Sequence, residues 1–321
     1  MGSLFSEYLP ETKARELCAH ELLLDPIFRR TVFRRIGKQS WEQIAQKMED
    51  KLQVLCIVNS RKGAQEIFSR LQGEGCFHLS TLMYPAHRER VLTEIRRRLK
   101  EDLPCRVIST SLIEAGVDVD FPEVYREQAG IDSILQAAGR CNREGKRPLG
   151  NSIVTVFQTE MAPPPIFSVP ISAGRYVMEK FEDIESPEAI STYFQELLTL
   201  KGNKAQDVEQ ILPLMQQELF PFQKVADRFR MIDSETRTVY IPQEDGVALI
   251  ERLRSGEHSR SLFRQLGRYS VAVYQNQFDA LNGIGVLEIL EDGSAVLRNL
   301  QQYDNFMGLS PDTDGGKALF I

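Results

Sequence analysis

Val54-Leu-Cys-Ile-Val-Asn59 is an unbroken apolar run of strand length that ends on an amide, and a helical pattern from Lys62 to Leu71 follows at once. A run without polar alternation suits a strand buried on both faces, as in a parallel sheet covered by helices. The same alternation recurs outward in both directions. Thr31 to Ile36 reads as a strand and Ser40 to Glu49 as a capped helix. Further on, Cys76 to Thr81, Arg106 to Thr110 and Ile153 to Phe157 read as strands, with helical stretches near Arg88 to Lys100 and Ser133 to Cys141. Strands alternating with helices of this length build β-α-β units. The expected fold class is α/β, a doubly wound parallel sheet over residues 29–160.

Pro163, Pro164, Pro165 and Pro170 cannot sit in a helix interior or a central strand, and they coincide with a change of pattern. A domain boundary is expected there. Residues 161–205 then form a proline-rich and helical linker and residues 206–321 a smaller α+β domain. Helices are expected at Ala173 to Asp183, Pro187 to Leu200, Asp207 to Leu219, Val247 to Arg254 and Ser259 to Leu266. Short strands are expected near Phe229, Val239, Val271, Val286 and Val296. Residues 1–28 read as an interdomain linker, with Leu17, Leu22, Leu23 and Leu24 forming one apolar face before Pro26.

The chain has 321 residues, which exceeds what one core usually organises. Its net charge of −6 argues against nucleic-acid binding by bulk positive charge, so any such cleft must be local. Arg29, Arg30, Arg34, Arg35 and Lys38 form one candidate run; Arg88, Arg90, Arg96, Arg97, Arg98 and Lys100 form another. A solvated face explains either run equally well. Five cysteines without C-x-x-C spacing fit free thiols in a reducing compartment, so no structural metal and a cytoplasmic location are expected. No apolar run approaches the roughly 20 residues that cross a bilayer.

Three motifs fall at the carboxyl ends of strands, where an open parallel sheet collects its ligands. The first is Asn59-Ser60-Arg61, which a polar strand end explains more simply. The second runs from Ser109-Thr110-Ser111 to Gly116-Val-Asp118. Thr110 and nearby amides can hold a strand phosphate, Gly116 permits a tight turn, and Asp118 can accept from a ribose or orient an arginine. A helix cap of serine and threonine would look similar. The third, Gln136-Ala-Ala-Gly139-Arg140-Cys-Asn-Arg143, is the most specific. If it is helical, positions 136, 140 and 143 share a face, and two forked guanidinium groups aimed at one place call for an anion such as a phosphate.

In order, these resemble motifs IV, V and VI of superfamily 2 helicases, the set of the second RecA-like domain. ISTSLIEAGVDVDFPEVYREQAGIDSILQAAGRCNREG, residues 108–145, is similar to the corresponding stretch of the CRISPR-associated type I helicase-nuclease family. The likeness runs from about residue 30 to 157. RYSVAVY near residue 270 and VLRNLQQYDNFMGL near the end resemble that family's C-terminal domain, especially its type I-C branch. The resemblance implies that Arg140 and Arg143 are catalytic arginines on the γ-phosphate of ATP bound with Mg2+. It implies that Gln136, Gly116, Asp118 and Gly139 serve the nucleotide, and that Arg61, Ser80, Thr81 and Thr110 line the path of single-stranded DNA. It also implies docking on the CRISPR surveillance complex, Cascade, through the C-terminal domain.

A motor of this class also needs a P-loop G-x-x-x-x-G-K-[ST] and an acidic Asp-Glu motif, and the sequence contains neither. None of its four histidines is followed by aspartate, as the family's nuclease centre requires. The expectation is a C-terminal half, inactive alone, that works with a first RecA-like domain and a nuclease domain of the same polypeptide. The alternative is a non-enzymatic adaptor that binds DNA or the surveillance complex.

Overall fold

The structure, a computed structural model, describes residues 29–202, 210–217, 219–229 and 236–311. Its α/β part runs β1 (Val32–Lys38), α1 (Trp41–Glu49), β2 (Gln53–Val58), α2 (Arg61–Phe68), β3 (Cys76–Leu79), α3 (Pro85–Lys100), β4 (Cys105–Thr110), β5 (Glu123–Glu127), α4 (Ile131–Ala138) and β6 (Ile153–Gln158). These six strands form a RecA-like parallel sheet in the order β1-β6-β5-β2-β4-β3. The doubly wound α/β expectation holds. Every residue of β2 is buried, as its unbroken apolar run requires.

β5 has no counterpart among the strands expected from sequence. Glu123-Val-Tyr-Arg-Glu127 carries charge at three of five positions, which disguises it, yet Val124 through Glu127 are all buried. α4 corrects another expectation: it stops at Ala138 with Gly139 as its cap, and Asn142 takes a left-handed φ of 47°. Arg140 and Arg143 therefore follow the helix, and no single helical face carries them with Gln136. Ser80 and Thr81 likewise lie beyond β3, in the turn leading to α3.

Two compact units result, residues 1–40 with 114–229 and residues 41–113 with 230–321. The first contains β1, β6, β5 and α4, followed by α5 (Ser168–Lys180), α6 (Pro187–Lys201), α7 (Ile211–Met215) and α8 (Phe222–Arg228). The prolines stand inside this unit. Pro165–Phe167 makes a 3-10 turn into α5, and Pro170 sits in that helix's first turn, where a missing N–H costs nothing. Ile134 of α4, Val156 of β6, Val177 of α5 and Tyr193 of α6 close one core. The described residues up to Arg228 are helical, and residues 230–235, into which the strand expected near Phe229 would run, lie outside the described residues. The expected linker over residues 1–28 and the start of the helix expected from Asp207 lie outside the described residues.

The second unit holds α1, β2, α2, β3, α3 and β4 together with the C-terminal elements. These are β7 (Thr236–Tyr240), α9 (Asp245–Arg254), α10 (Arg260–Leu266), β8 (Ser270–Tyr274), α11 (Gln275–Gly283), β9 (Leu287–Ile289), β10 (Ala295–Leu297) and the pair β11 (Tyr303–Asp304) and β12 (Gly308–Leu309). Strands β8-β7-β10-β9 make a four-stranded sheet, parallel between β7 and β10 and otherwise antiparallel. The sequence reading foresaw the C-terminal strands apart from the β11–β12 pair, but not α11.

One core joins the C-terminal elements to the start of α3 and the turn before it: Leu82, Tyr84 and Ala86 are buried with Val271, Leu297 and Leu309. Main-chain and side-chain bonds tie the two together. The amide of Leu309 donates to the Leu82 carbonyl at 2.8 Å, and the Tyr303 hydroxyl lies 2.8 Å from His87 Nδ1. Gly308 has φ +84°, and a Cβ there would come within 2.5 Å of the Leu82 carbonyl oxygen, so the close approach needs glycine.

Candidate functional site

In the first unit, the segment after β4's end and the turn after α4 are laced together. Phe121 donates its amide to the Arg140 carbonyl and Asn142 donates back to the Phe121 carbonyl, both at 2.9 Å. Asp120 accepts from the Arg143 amide and from Arg147 Nη1, each at 2.7 Å. The Asn142 side chain, held in its left-handed turn, donates to the carbonyls of Arg30 and Arg147 and accepts from the Arg147 amide. Both motifs therefore share one rigid main-chain frame.

That frame treats its two motif arginines differently. Arg143 is exposed, and its Nε lies 2.7 Å from an Asp118 carboxylate whose side chain is 82% exposed. An exposed pair of this kind holds by at most about 1 kcal/mol, so Arg143 can exchange Asp118 for a phosphate at little cost. Arg140 is buried and donates to the carbonyl of Glu114. Burial, followed by the neighbouring Arg143 charge, pulls the Arg140 guanidinium below its ordinary range. Gln136 is exposed on α4, and Gly116 turns with φ +71° over open space. The structure thus brings Asp118, Arg140 and Arg143 together.

Beneath them lies a pair that the sequence reading missed. Arg126 of β5 is fully buried, with its Nε 2.9 Å from Glu114 Oε1 and its Nη1 donating to the Glu127 carbonyl at 2.8 Å. Burial pushes the Glu114 carboxyl up, and Arg126 opposes that shift. Glu114 therefore meets Arg126 with its side chain and Arg140 with its carbonyl. The available signal was weak, because Arg126 stands in a strand that carries charge at three of its five positions and was not recognised as one.

In the second unit, Ser60 caps α2 by accepting from the Gly63 amide, which leaves Arg61 at the helix's first position. The Arg61 guanidinium carbon lies 4.8 Å from the ring centre of Tyr274. Thr110 is half-buried at the end of β4 and Thr81 is exposed. Ser80 is fully buried, and its hydroxyl accepts from the Leu82 amide. That side chain shapes a turn and presents no surface to a strand.

Several residues of the two basic runs are matched by carboxylates. Arg97 and Arg98 of α3 pair with Glu94 at 2.7 and 2.8 Å, and Arg98 also pairs with Glu74 at 2.6 Å. Arg29 pairs with Asp183 at 2.6 Å. No three acidic, histidine or cysteine side chains converge on a metal site among the described residues. No described helix is long and apolar enough to cross a membrane.

The parallel sheet with its flanking helices defines a RecA-like α/β domain. Residues 50–146, which include every motif residue singled out above, match the family model described as CRISPR-associated nuclease/helicase Cas3, C-terminal. Over those residues the chain is similar to the C-terminal region of that family. It is 53% identical over 55 residues to the CRISPR-associated nuclease/helicase Cas3 of Haloferax volcanii, a stretch covering 17% of this chain and 6% of that protein. To the protein of the same name from Methanothermobacter thermautotrophicus it is 32% identical over 108 residues, 32% of this chain and 13% of that one. The fold matches the crystal structure of T. fusca Cas3-AMPPNP with a TM-score of 0.56 at 12% identity, over 95% of this chain and 44% of that one. The chain thus spans a small part of its curated relatives and under half of that structure.

Proposed function

We propose that this chain supplies the C-terminal motor half of an ATP-driven, single-stranded-DNA translocase and nuclease of type I CRISPR interference. The observation that carries this reading is the pinned loop pair that sets Arg140 and Arg143 beside Asp118, inside the residues matched to the family. ATP supplies the phosphoryl group transferred to water. Arg143 leaves Asp118 for the γ-phosphate, Arg140 braces the loop from beneath and meets the same charge, and Gln136, Gly116 and Gly139 border the nucleotide. Arg61, Thr81 and Thr110 face the DNA strand, with Ser80 holding the turn that presents Thr81. The C-terminal elements dock on the surveillance complex, Cascade.

Arginines without a P-loop do not hold a triphosphate, and the sequence contains no P-loop, so the chain alone is inactive. The test joins it to the family's nuclease and first RecA-like domains and follows DNA-stimulated ATP hydrolysis. Arg143→Ala is expected to lower kcat by about 10³-fold or more, as the loss of an arginine finger does, and Arg143→Lys to restore little. Unchanged turnover in Arg143→Ala refutes the finger role. Steady hydrolysis by the chain alone that disappears with Arg140→Ala refutes its dependence on the other domains.

A further inference from the structure

Arg140 stands at the inner side of the motif frame, and what holds it there lies in the core of the same compact unit. Its guanidinium donates to the main-chain carbonyl of Glu114 and, at 3.3 Å, to that of Gly139. Neutral carbonyls hold a guanidinium group without cancelling its charge, so Arg140 keeps its attraction for a phosphate. The Glu114 carboxylate would cancel that charge, and it belongs to the same residue as the carbonyl. Arg126 occupies it instead: Arg126 Nε lies 2.9 Å from Glu114 Oε1, and both side chains are buried. Arg126 is itself anchored, since its Nη1 donates to the Glu127 carbonyl at 2.8 Å and the Glu127 carboxylate accepts from the Thr159 hydroxyl at 3.0 Å. Asp132 of α4, whose charge also bears on Glu114, accepts from the Tyr193 hydroxyl at 2.6 Å. Arg140 is the other cation whose charge reaches the Glu114 carboxyl. A buried carboxyl that loses its cation takes up a proton or takes another cation, because a lone charge in the core is strongly unfavourable. Here the other cation is a motif arginine.

We propose that Arg126 is a positioning residue for Arg140: by occupying the Glu114 carboxylate it keeps Arg140 on the Glu114 carbonyl, with its charge uncancelled and available to a phosphate. Arg126 acts through Glu114 and touches no nucleotide. Its loss therefore weakens an interaction made in the transition state, which lowers kcat and leaves KM nearly alone. This proposal rests on the reading above that Arg140 meets the γ-phosphate charge, and it adds the side chains of Arg126 and Glu114, to which the motifs assign nothing.

Two readouts test it, with thermal melts to check that each variant is folded. In the chain itself, carrying isotope-labelled arginine, the Arg140 Nε–H signal is assigned in the magnetic resonance spectrum by its loss in Arg140→Ala. Arg126→Met is expected to move that signal, and adding Glu114→Gln to return it, because a glutamine leaves no charge to capture Arg140. In the protein joined as above to the nuclease and first RecA-like domains, Arg126→Met is expected to lower kcat for ATP about 10²-fold, the scale of a misplacement of about 1 Å, with KM within about threefold. The added Glu114→Gln restores most of that loss. In an Arg140→Ala background Arg126→Met lowers kcat no further, since the group it acts through is gone. Arg126→Lys, which keeps a cation at Glu114, serves if Arg126→Met does not fold: its signal and turnover are expected to match the parent, and a folded Arg126→Lys that loses turnover without moving the Arg140 signal overturns the proposal. An unmoved signal with parental turnover in folded Arg126→Met means that Glu114 takes up a proton instead; the positioning is then wrong, and the phosphate role of Arg140 stands if Arg140→Ala abolishes turnover. Equal losses from Arg126→Met in both backgrounds also overturn the positioning, because Arg126 is then only structural. Parental turnover in Arg140→Ala overturns the phosphate role and the positioning together.

Discussion

Arg126 shows how a single buried charge constrains this site. Its guanidinium is fully buried against Glu114, and a charge in that position is stable only while its partner remains. Arg126→Met strips the buried Glu114 carboxyl of its counter-charge and is expected to cost about 3–5 kcal/mol in denaturant unfolding. The double variant Arg126→Met with Glu114→Gln is expected to recover much of that loss, because no lone charge then remains. Additive losses in the two changes would show that the pair is not coupled. Arg143 with Asp118 is the opposite case: the pair is exposed, so Asp118→Asn is expected to change stability by less than about 1 kcal/mol. The same chemistry thus serves as a brace when buried and as a releasable latch when exposed.

Among the elements, the β11–β12 pair locks the turn before α3. Gly308→Ala pushes a methyl group toward the Leu82 carbonyl in a left-handed backbone and is expected to destabilise the protein by about 2–4 kcal/mol, read by equilibrium unfolding. Beside this pair, burial holds the imidazoles of His78 and His87 down to about 4. The sign follows from linkage: each histidine is neutral in the fold but takes up a proton near pH 6.5 when unfolded. Stability is therefore complete above about pH 6.5 and falls as the pH drops toward 4, by up to about 3 kcal/mol per histidine. Unfolding free energies at pH 7 and pH 5 test this, and His78→Phe, which removes one titrating group, is expected to flatten the difference. A pH-independent unfolding free energy between those values would contradict it.

Across the whole molecule, the legible part of the fold was the part with clear periodicity. β2 was readable because burial on both faces leaves no polar residue in its run, and the motif loops were readable because their residue types are rare at strand ends. β5 was not readable, because its charges are satisfied by partners distant in sequence, Glu114 for Arg126 and Thr159 for Glu127. The helical extent past Ala138 was misjudged for a related reason. Arg140 to Asn142 leave the helix to bond Phe121, a long-range competitor that local propensity does not register. Ser80 looked like a strand-end contact until its hydroxyl proved to be used within its own turn. The proline cluster did end one pattern, but α5 and α6 pack back on α4, so the chain's compact units divide elsewhere.

By itself the sequence determined the doubly wound α/β class, the family resemblance, and which residue types stand at the strand ends, since these depend on local order and short-range spacing. The tertiary structure alone decided which arginine is buried and which is exposed, that Glu114 connects Arg126 to Arg140, and that Tyr274 meets Arg61 from 213 positions away in the chain. Burial and pairing across such distances arise only when separate elements pack, and no local pattern encodes them.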